Sequence, residues 1–254
     1  MAKIISILSG KGGVGKTTTV SNLGAALVKR GKKVIILDGN VTTPNLSLHL
    51  GIPFYPITLH DVLKKRIPIE AAIYDHPSGI KIVPASLSAN EVKNVNIERL
   101  ESVLLNLLGK ADIIIVDSAA GLGKEALVAM NLADELIIVT NPDLPAVTDA
   151  LKTIKIAEDN GTKILGVVIN RVRGFKHEIP ISDIRSMLNA PILAIVPEDI
   201  HVPRSIAKRM PVVHHRPQSR ASIEFIKLAA KITGEPWVEI KRSGWFDKLL
   251  FWLR

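Results

Sequence analysis

Seven short, almost uninterrupted aliphatic runs recur along the chain, at residues 4–8, 34–37, 80–83, 113–116, 136–139, 164–169 and 192–196. A strand with one wet face alternates apolar and polar residues, whereas a continuous run of this kind has both faces covered, as in a parallel sheet. The stretches between the runs carry apolar residues at helical spacing. Val20, Leu23 and Leu27 share a face that Gly31 closes, and Ile97, Leu100, Leu104 and Leu107 follow a capping candidate, Asn96. Val147, Ala150, Leu151, Ile154 and Ala157 stop at Asn160 and Gly161, and Phe225, Ile226, Ala229 and Ile232 form a last stripe. Strand and helix thus alternate along the chain. This order predicts an α/β fold in one domain, residues 1–234, with a doubly wound, mostly parallel sheet and its ligand site at the carboxyl ends of the strands.

Composition narrows the classes. Of 254 residues, 47% are hydrophobic and 22% charged, enough for one large core and unlike a disordered chain. No run reaches the ~18 to 20 apolar residues of a membrane span. With no cysteine, disulfides, thiolate metal sites, iron–sulfur clusters and cysteine nucleophiles are excluded. No apolar signal segment follows Met1, so the expected compartment is the cytoplasm. The net charge of +9 favours anionic partners without choosing among nucleotides, acidic lipids and nucleic acid.

One motif has a strand before it and a helix after it. Gly10, Lys11, Gly12, Gly13, Val14, Gly15, Lys16 and Thr17 satisfy G-x-x-x-x-G-K-[ST], and Thr18 continues into the helix. Glycines let consecutive backbone N–H groups curl around phosphate oxygens, and the helix N-terminus adds partial positive charge. Lys16 is then expected at the β- and γ-phosphates and the Thr17 hydroxyl on Mg2+. Asp38 and Asp117 each end an aliphatic run, which places them on the side where this loop opens. A lone aspartate after a strand is also a common turn residue; beside a phosphate loop, the metal role is the expected one.

With these motifs in place the sequence resembles the MinD/ParA family of P-loop ATPases, the MinD-type members most closely, over about residues 1–234. The further markers are Asp38-Gly39-Asn40 followed by Asn45-Leu46-Ser47-Leu48, then Asp117-Ser118-Ala119-Ala120-Gly121-Leu122, Thr140-Asn141-Pro142, Asn170-Arg171 and Pro197-Glu198-Asp199. The resemblance implies that Lys11 reaches across an ATP-sandwiched homodimer to the partner's nucleotide. It implies adenine recognition by Asn170, with Arg171 and the loop of Pro197, Glu198 and Asp199 beside the base; capping of the strand end is the other reading of Asn170. It further implies ATP and Mg2+ as ligands, a protein cargo, an activator and attachment to the inner face of the cell membrane.

Two positions depart from the family pattern. Asn40 stands where an aspartate commonly positions the attacking water; an amide accepts a hydrogen bond but takes no proton, so slow hydrolysis is expected. Ala119 replaces the usual proline of the second switch.

The chain changes character after Thr233. All three tryptophans, Trp237, Trp245 and Trp252, fall there. On a helix, Trp245, Phe246, Leu249, Leu250, Trp252 and Leu253 gather on one face while Asp247 and Lys248 oppose them; Lys241 and Arg242 precede. Residues 235–254 therefore read as a linker and an amphipathic helix suited to an anionic membrane surface, or to a groove on a protein. A rival reading comes from residues 171–220, where nine Lys and Arg face four acidic residues: a ParA-like ATPase that binds DNA non-specifically.

Overall fold

The aliphatic runs form strands because each can bury both of its faces. The protein, seen in a computed structural model that describes residues 2–51, 54–65, 67–92 and 95–237, has an eight-stranded sheet. Its strands are β1 (Lys3–Leu8), β2 (Val34–Asp38), β3 (Tyr74–Asp75), β4 (Lys81–Val83), β5 (Ile113–Asp117), β6 (Glu135–Thr140), β7 (Ile164–Val172) and β8 (Ile192–Pro197). They lie in the order β3-β4-β2-β5-β1-β6-β7-β8, all parallel except for the antiparallel β3–β4 pair.

Alternate residues of the same strand enter opposite cores. Ile5, Ile7, Ile36 and Ile115 pack with Val20, Leu23 and Leu27 of α1 (Lys16–Lys29) and with Phe225 and Leu228 of the last described helix, Arg220–Thr233. Ile4, Ile35, Leu37, Ile114 and Val116 face the other way, onto Leu100, Leu104 and Leu107 of the helix Leu100–Leu107. Toward the far edge, Ile138, Val167 and Ile169 meet Val147, Ala150 and Ile154 of the helix Leu144–Asp159. From β1 the chain passes through α1 past β5 to β2, and from β5 through the helix Lys124–Asn131 past β1 to β6. The two crossovers use opposite faces, so a ligand crevice opens at the carboxyl end of β1.

Two details differ from the sequence expectation. The strand β3 has no aliphatic run; it pairs with β4 because a tight turn, with His76 N–H donating to the Ile80 carbonyl at 2.9 Å and Gly79 at φ 81°, brings Tyr74 opposite Ile82. The helix after Asn96 begins with a separate 3-10 turn, Ile97–Arg99, which the Asn96 side chain caps by accepting from Glu98 N–H at 3.0 Å. The tail face of Trp245, Phe246, Leu249, Leu250, Trp252 and Leu253 lies outside the described residues. Among those described, no helix is long and apolar enough to cross a membrane.

At the amino ends of the strands, the buried Glu135 accepts from Lys3 and Lys163, each at 2.6 Å. Burial alone would raise its carboxyl; the hydrogen bonds and charges of Lys163 and Lys3 outweigh it and hold the group below its usual value. A depressed carboxylate contributes stability above its unfolded pKa, and that contribution disappears as pH falls through the folded value. Glu135→Gln is therefore expected to lower unfolding free energy by about 2 kcal/mol at neutral pH, less than for a fully buried pair because the lysines reach solvent. Chemical denaturation of both proteins should converge as the pH falls below the usual carboxylate range and through the depressed folded value.

Candidate functional site

The phosphate loop is shaped by two residues in the left-handed region, Gly13 at φ 81° and Gly15 at φ 96°. Gly15 is also the N-cap of α1 and offers no side chain to its first turn, which leaves those N–H groups to a ligand. There is no room for anything larger. A Cβ on Gly15 would sit 2.0 Å from Asn170 Nδ2, because that amide reaches under the loop and donates to the Val14 carbonyl at 2.8 Å. Gly10 is equally confined, its Cβ position lying 2.5 Å from the backbone of Asp149.

Lys16, the first residue of α1, extends to Asp117 at the end of β5, Nζ to Oδ1 2.8 Å, with only 8% and 1% of the two side chains exposed. The β2–β5 register sets Asp38 opposite Asp117. Asp38 accepts from Leu46 N–H at 3.2 Å and Asn40 N–H at 3.3 Å. Burial, then the Asp117 charge, nonetheless pushes its carboxyl up to about 8. Two buried carboxylates thus share one lysine. The donor set fits Mg2+ in the way that ion is usually bound in nucleotide sites, by one or two carboxylates, a hydroxyl and substrate phosphates. Thr17, half-buried in the first turn of α1, would supply the hydroxyl. Among the described residues no cluster of three or more His, Asp or Glu forms an all-protein cage.

The remaining candidates divide. Asn40 uses its amide locally, donating to the Thr43 carbonyl at 2.6 Å and accepting from Thr43 N–H at 3.2 Å and its hydroxyl at 3.1 Å. Lys11 lies over the loop surface and pairs with Asp143 at 2.9 Å; the same carboxylate caps the helix Leu144–Asp159 by accepting from Ala146 N–H. The segment after β5 rests on the end of β1, with Gly121 N–H donating to the Ser9 carbonyl at 2.9 Å and the Ser118 hydroxyl to the Ile7 carbonyl at 2.8 Å.

Arg171 adopts φ 56° where the β7–β8 register shifts, and is exposed. Pro197 ends β8, and Glu198 approaches Arg173 at 3.7 Å. Asp199 points inward. Its two oxygens accept from His201 N–H at 2.8 Å and Ala221 N–H at 3.1 Å; these bonds outweigh burial and hold its carboxyl low. It ties the starts of two helices together.

One neighbour of the site escaped the sequence reading. His49, on α2 (Leu46–Leu50), sets Nε2 3.4 Å from the Thr18 hydroxyl while its Nδ1 lies 3.3 Å from the Asn45 carbonyl. The available signal was its spacing, four residues after Asn45, which places both on one helical face.

A model of the CobQ/CobB/MinD/ParA nucleotide binding domain matches residues 5–212. The chain belongs to the MinD/ParA family of ATPases. It is 40% identical to an uncharacterized ATP-binding protein of Methanocaldococcus jannaschii, over 98% of this chain and 96% of that one. It is 34% identical to the septum site-determining protein MinD of Synechocystis, over 92% and 91%. Among solved structures it resembles MinD of Pyrococcus horikoshii complexed with Mg-ADP, with TM-score 0.87, 39% identity and coverage of 91% and 96%.

The crowding at Gly15 makes a defined expectation. Gly15→Ala should lower nucleotide affinity more than tenfold in a fluorescent-nucleotide titration, since strain at φ 96° adds to the clash with Asn170. Adding Asn170→Ala removes the clash and leaves the strain, so the double variant should recover only part of the affinity.

Proposed function

We propose that the chain is an ATP-driven switch of the MinD kind: it dimerises on ATP, attaches to an anionic membrane surface through residues 245–254, positions another assembly and is released on hydrolysis. The observation that carries this reading is Lys11. It belongs to the phosphate loop itself, 35% exposed and, among the described residues, ion-paired only to Asp143, itself 45% exposed. An exposed pair of this kind is worth about 1 kcal/mol or less, so Lys11 can exchange Asp143 for the phosphates of a facing nucleotide. The septum site-determining relatives support a role in placing other machinery.

In this reading Lys16 holds the β- and γ-phosphates, the N–H groups of residues 10–17 cradle them, and Thr18, Asn170, Arg171 and residues 197–199 surround the rest of the nucleotide. Thr17, Asp38 and Asp117 would hold Mg2+, which supplies charge stabilisation for phosphoryl transfer when bound. Asn40 orients water only by releasing or sharing its bonds to Thr43, which supports slow turnover. Membrane residence follows from avidity, because two weakly binding tails on one dimer gain from effective concentration.

In sedimentation velocity the wild type should dimerise with ATP and Mg2+ and not with ADP, whereas Lys11→Ala stays monomeric with its fold intact. Lys11→Ala should also fail to pellet with anionic vesicles; ATP-independent pelleting of both proteins would remove the switch. Separately, Asn40→Asp is expected to raise the single-turnover hydrolysis rate about tenfold. A variant no faster than wild type would clear Asn40 as the cause of slow turnover.

A further inference from the structure

The helices His201–Ala207 and Val212–His215 enclose a shallow groove of about 430 Å3, lined by His201, Arg204, Ala207, Lys208, His215 and Arg216. No carboxylate lines it. Asp199, two residues before His201, keeps its charge and acts on His201, but both its oxygens are turned to backbone N–H groups, and Glu198 faces Arg173. Among the described residues, Arg204, Lys208 and Arg216 enter no ion pair within 4.0 Å. Elsewhere the balance is different: Lys64, Lys81, Lys110 and Lys124 each hold a carboxylate at 3.0 Å or less. Like charges left to converge in a concavity raise the local potential and favour an anion there.

The groove also has a direction. Beside Arg216 begins the helix Arg220–Thr233, whose outward residues include Arg220, Lys227 and Lys231, with Glu224 neutralising Lys227 at 2.8 Å. After roughly 21 Å of helix, Trp237 folds back over Lys227, its ring centroid 4.8 Å from Nζ. With Lys227 neutralised, Arg220 and Lys231, the latter donating to the Leu193 carbonyl, form a sparse basic stripe that joins the groove to the root of the chain's tryptophan-rich end, all on the face of the sheet that α1 covers.

We propose that this groove is a docking site for the phosphates of anionic lipid headgroups, a second membrane contact that lays the helix Arg220–Thr233 along the bilayer. The inference rests on the membrane reading above. It adds an orienting contact made by the folded domain, distinct from residues 245–254. A lipid surface fits better than an isolated phosphate because the groove is shallow and continues into the stripe and the tail root, so one flat polyanion can meet all three. Each Lys or Arg near such a surface adds attraction that salt screens.

The test is vesicle co-sedimentation of the full chain with ATP and Mg2+, on phosphatidylglycerol–phosphatidylcholine vesicles and on phosphatidylcholine alone. Arg204→Gln combined with Lys208→Gln should bind the anionic vesicles about tenfold more weakly and lose much of the wild type's salt dependence. Arg216→Gln with Arg220→Gln, on other elements, should act in the same direction, and circular dichroism reports the fold of both. Leu249→Glu, in the terminal segment, separates the two ideas. Abolished binding in Leu249→Glu beside unchanged binding in both glutamine pairs overturns the groove and leaves the tail reading standing. A wild type that pellets with neither vesicle overturns both. Glutamine pairs that lose binding to a short DNA duplex while binding vesicles normally assign the groove to nucleic acid and overturn the lipid proposal.

Discussion

The contact on which the site depends is the ion pair between Lys16 and Asp117, closed to 2.8 Å in the middle of the sheet. Removing two charges from water costs several kcal/mol each, and their attraction offsets this only with good geometry. Here the geometry comes from the fold. Asp117 ends β5, Lys16 begins the helix that follows β1, and β1 and β5 are adjacent. Asp38 then brings a second carboxylate, whose carboxyl is raised first by its burial and then by the Asp117 charge, with Lys16 only partly offsetting both. The loop above has the opposite bias, with unpaired N–H groups and a helix N-terminus favouring anions. A nucleotide phosphate chain carrying a divalent cation satisfies both halves at once, whereas either alone would leave one half worse off.

The loop's conformation is imposed from a distance. Asn170 from β7 grips Val14, Gly121 after β5 hangs from Ser9, and Asp149 closes against Gly10. Each partner comes from a different part of the chain, so the glycine motif adopts its cradle only once β1, β5 and β7 are assembled. The motif specifies what the loop can become, and the sheet selects the shape. On the proposed reading this couples base and phosphates: a side chain that fixes the loop from below cannot move freely toward a base without altering the phosphate site.

Much of the architecture was legible because burial on both faces leaves a strong record. All seven aliphatic runs became strands, while β3 was missed because two residues held by a turn need no apolar pattern. Asp38, Asp117 and Lys16 could be placed from strand ends and motif alone. What stayed hidden was pairing across long separations: Lys11 with Asp143, Asn170 with Val14, and Asp199 with the starts of two helices. Asp199 illustrates the limit. A motif puts it near a base, yet its two oxygens are taken by backbone N–H groups that only the tertiary fold delivers. Trp237 is the opposite case, since composition groups it with the tail and Lys227, about two helix turns before the cap, draws it onto the domain.

That placement bears on how nucleotide state can reach the membrane. Glu235 bonds Lys32 and Arg30, which hold its carboxyl low, and Arg30 also donates to the Pro236 carbonyl. Arg30 caps the far end of α1, the helix whose first residue is Lys16. The phosphate loop and the tail root are thus joined by one buried helix of 14 residues with no hinge along it. A strut of this kind fixes the two ends relative to each other and does not pass a large motion between them. On the proposed reading, hydrolysis need not move the tail at all. It need only separate two chains, and a tail that binds weakly alone then leaves the surface because its neighbour has gone.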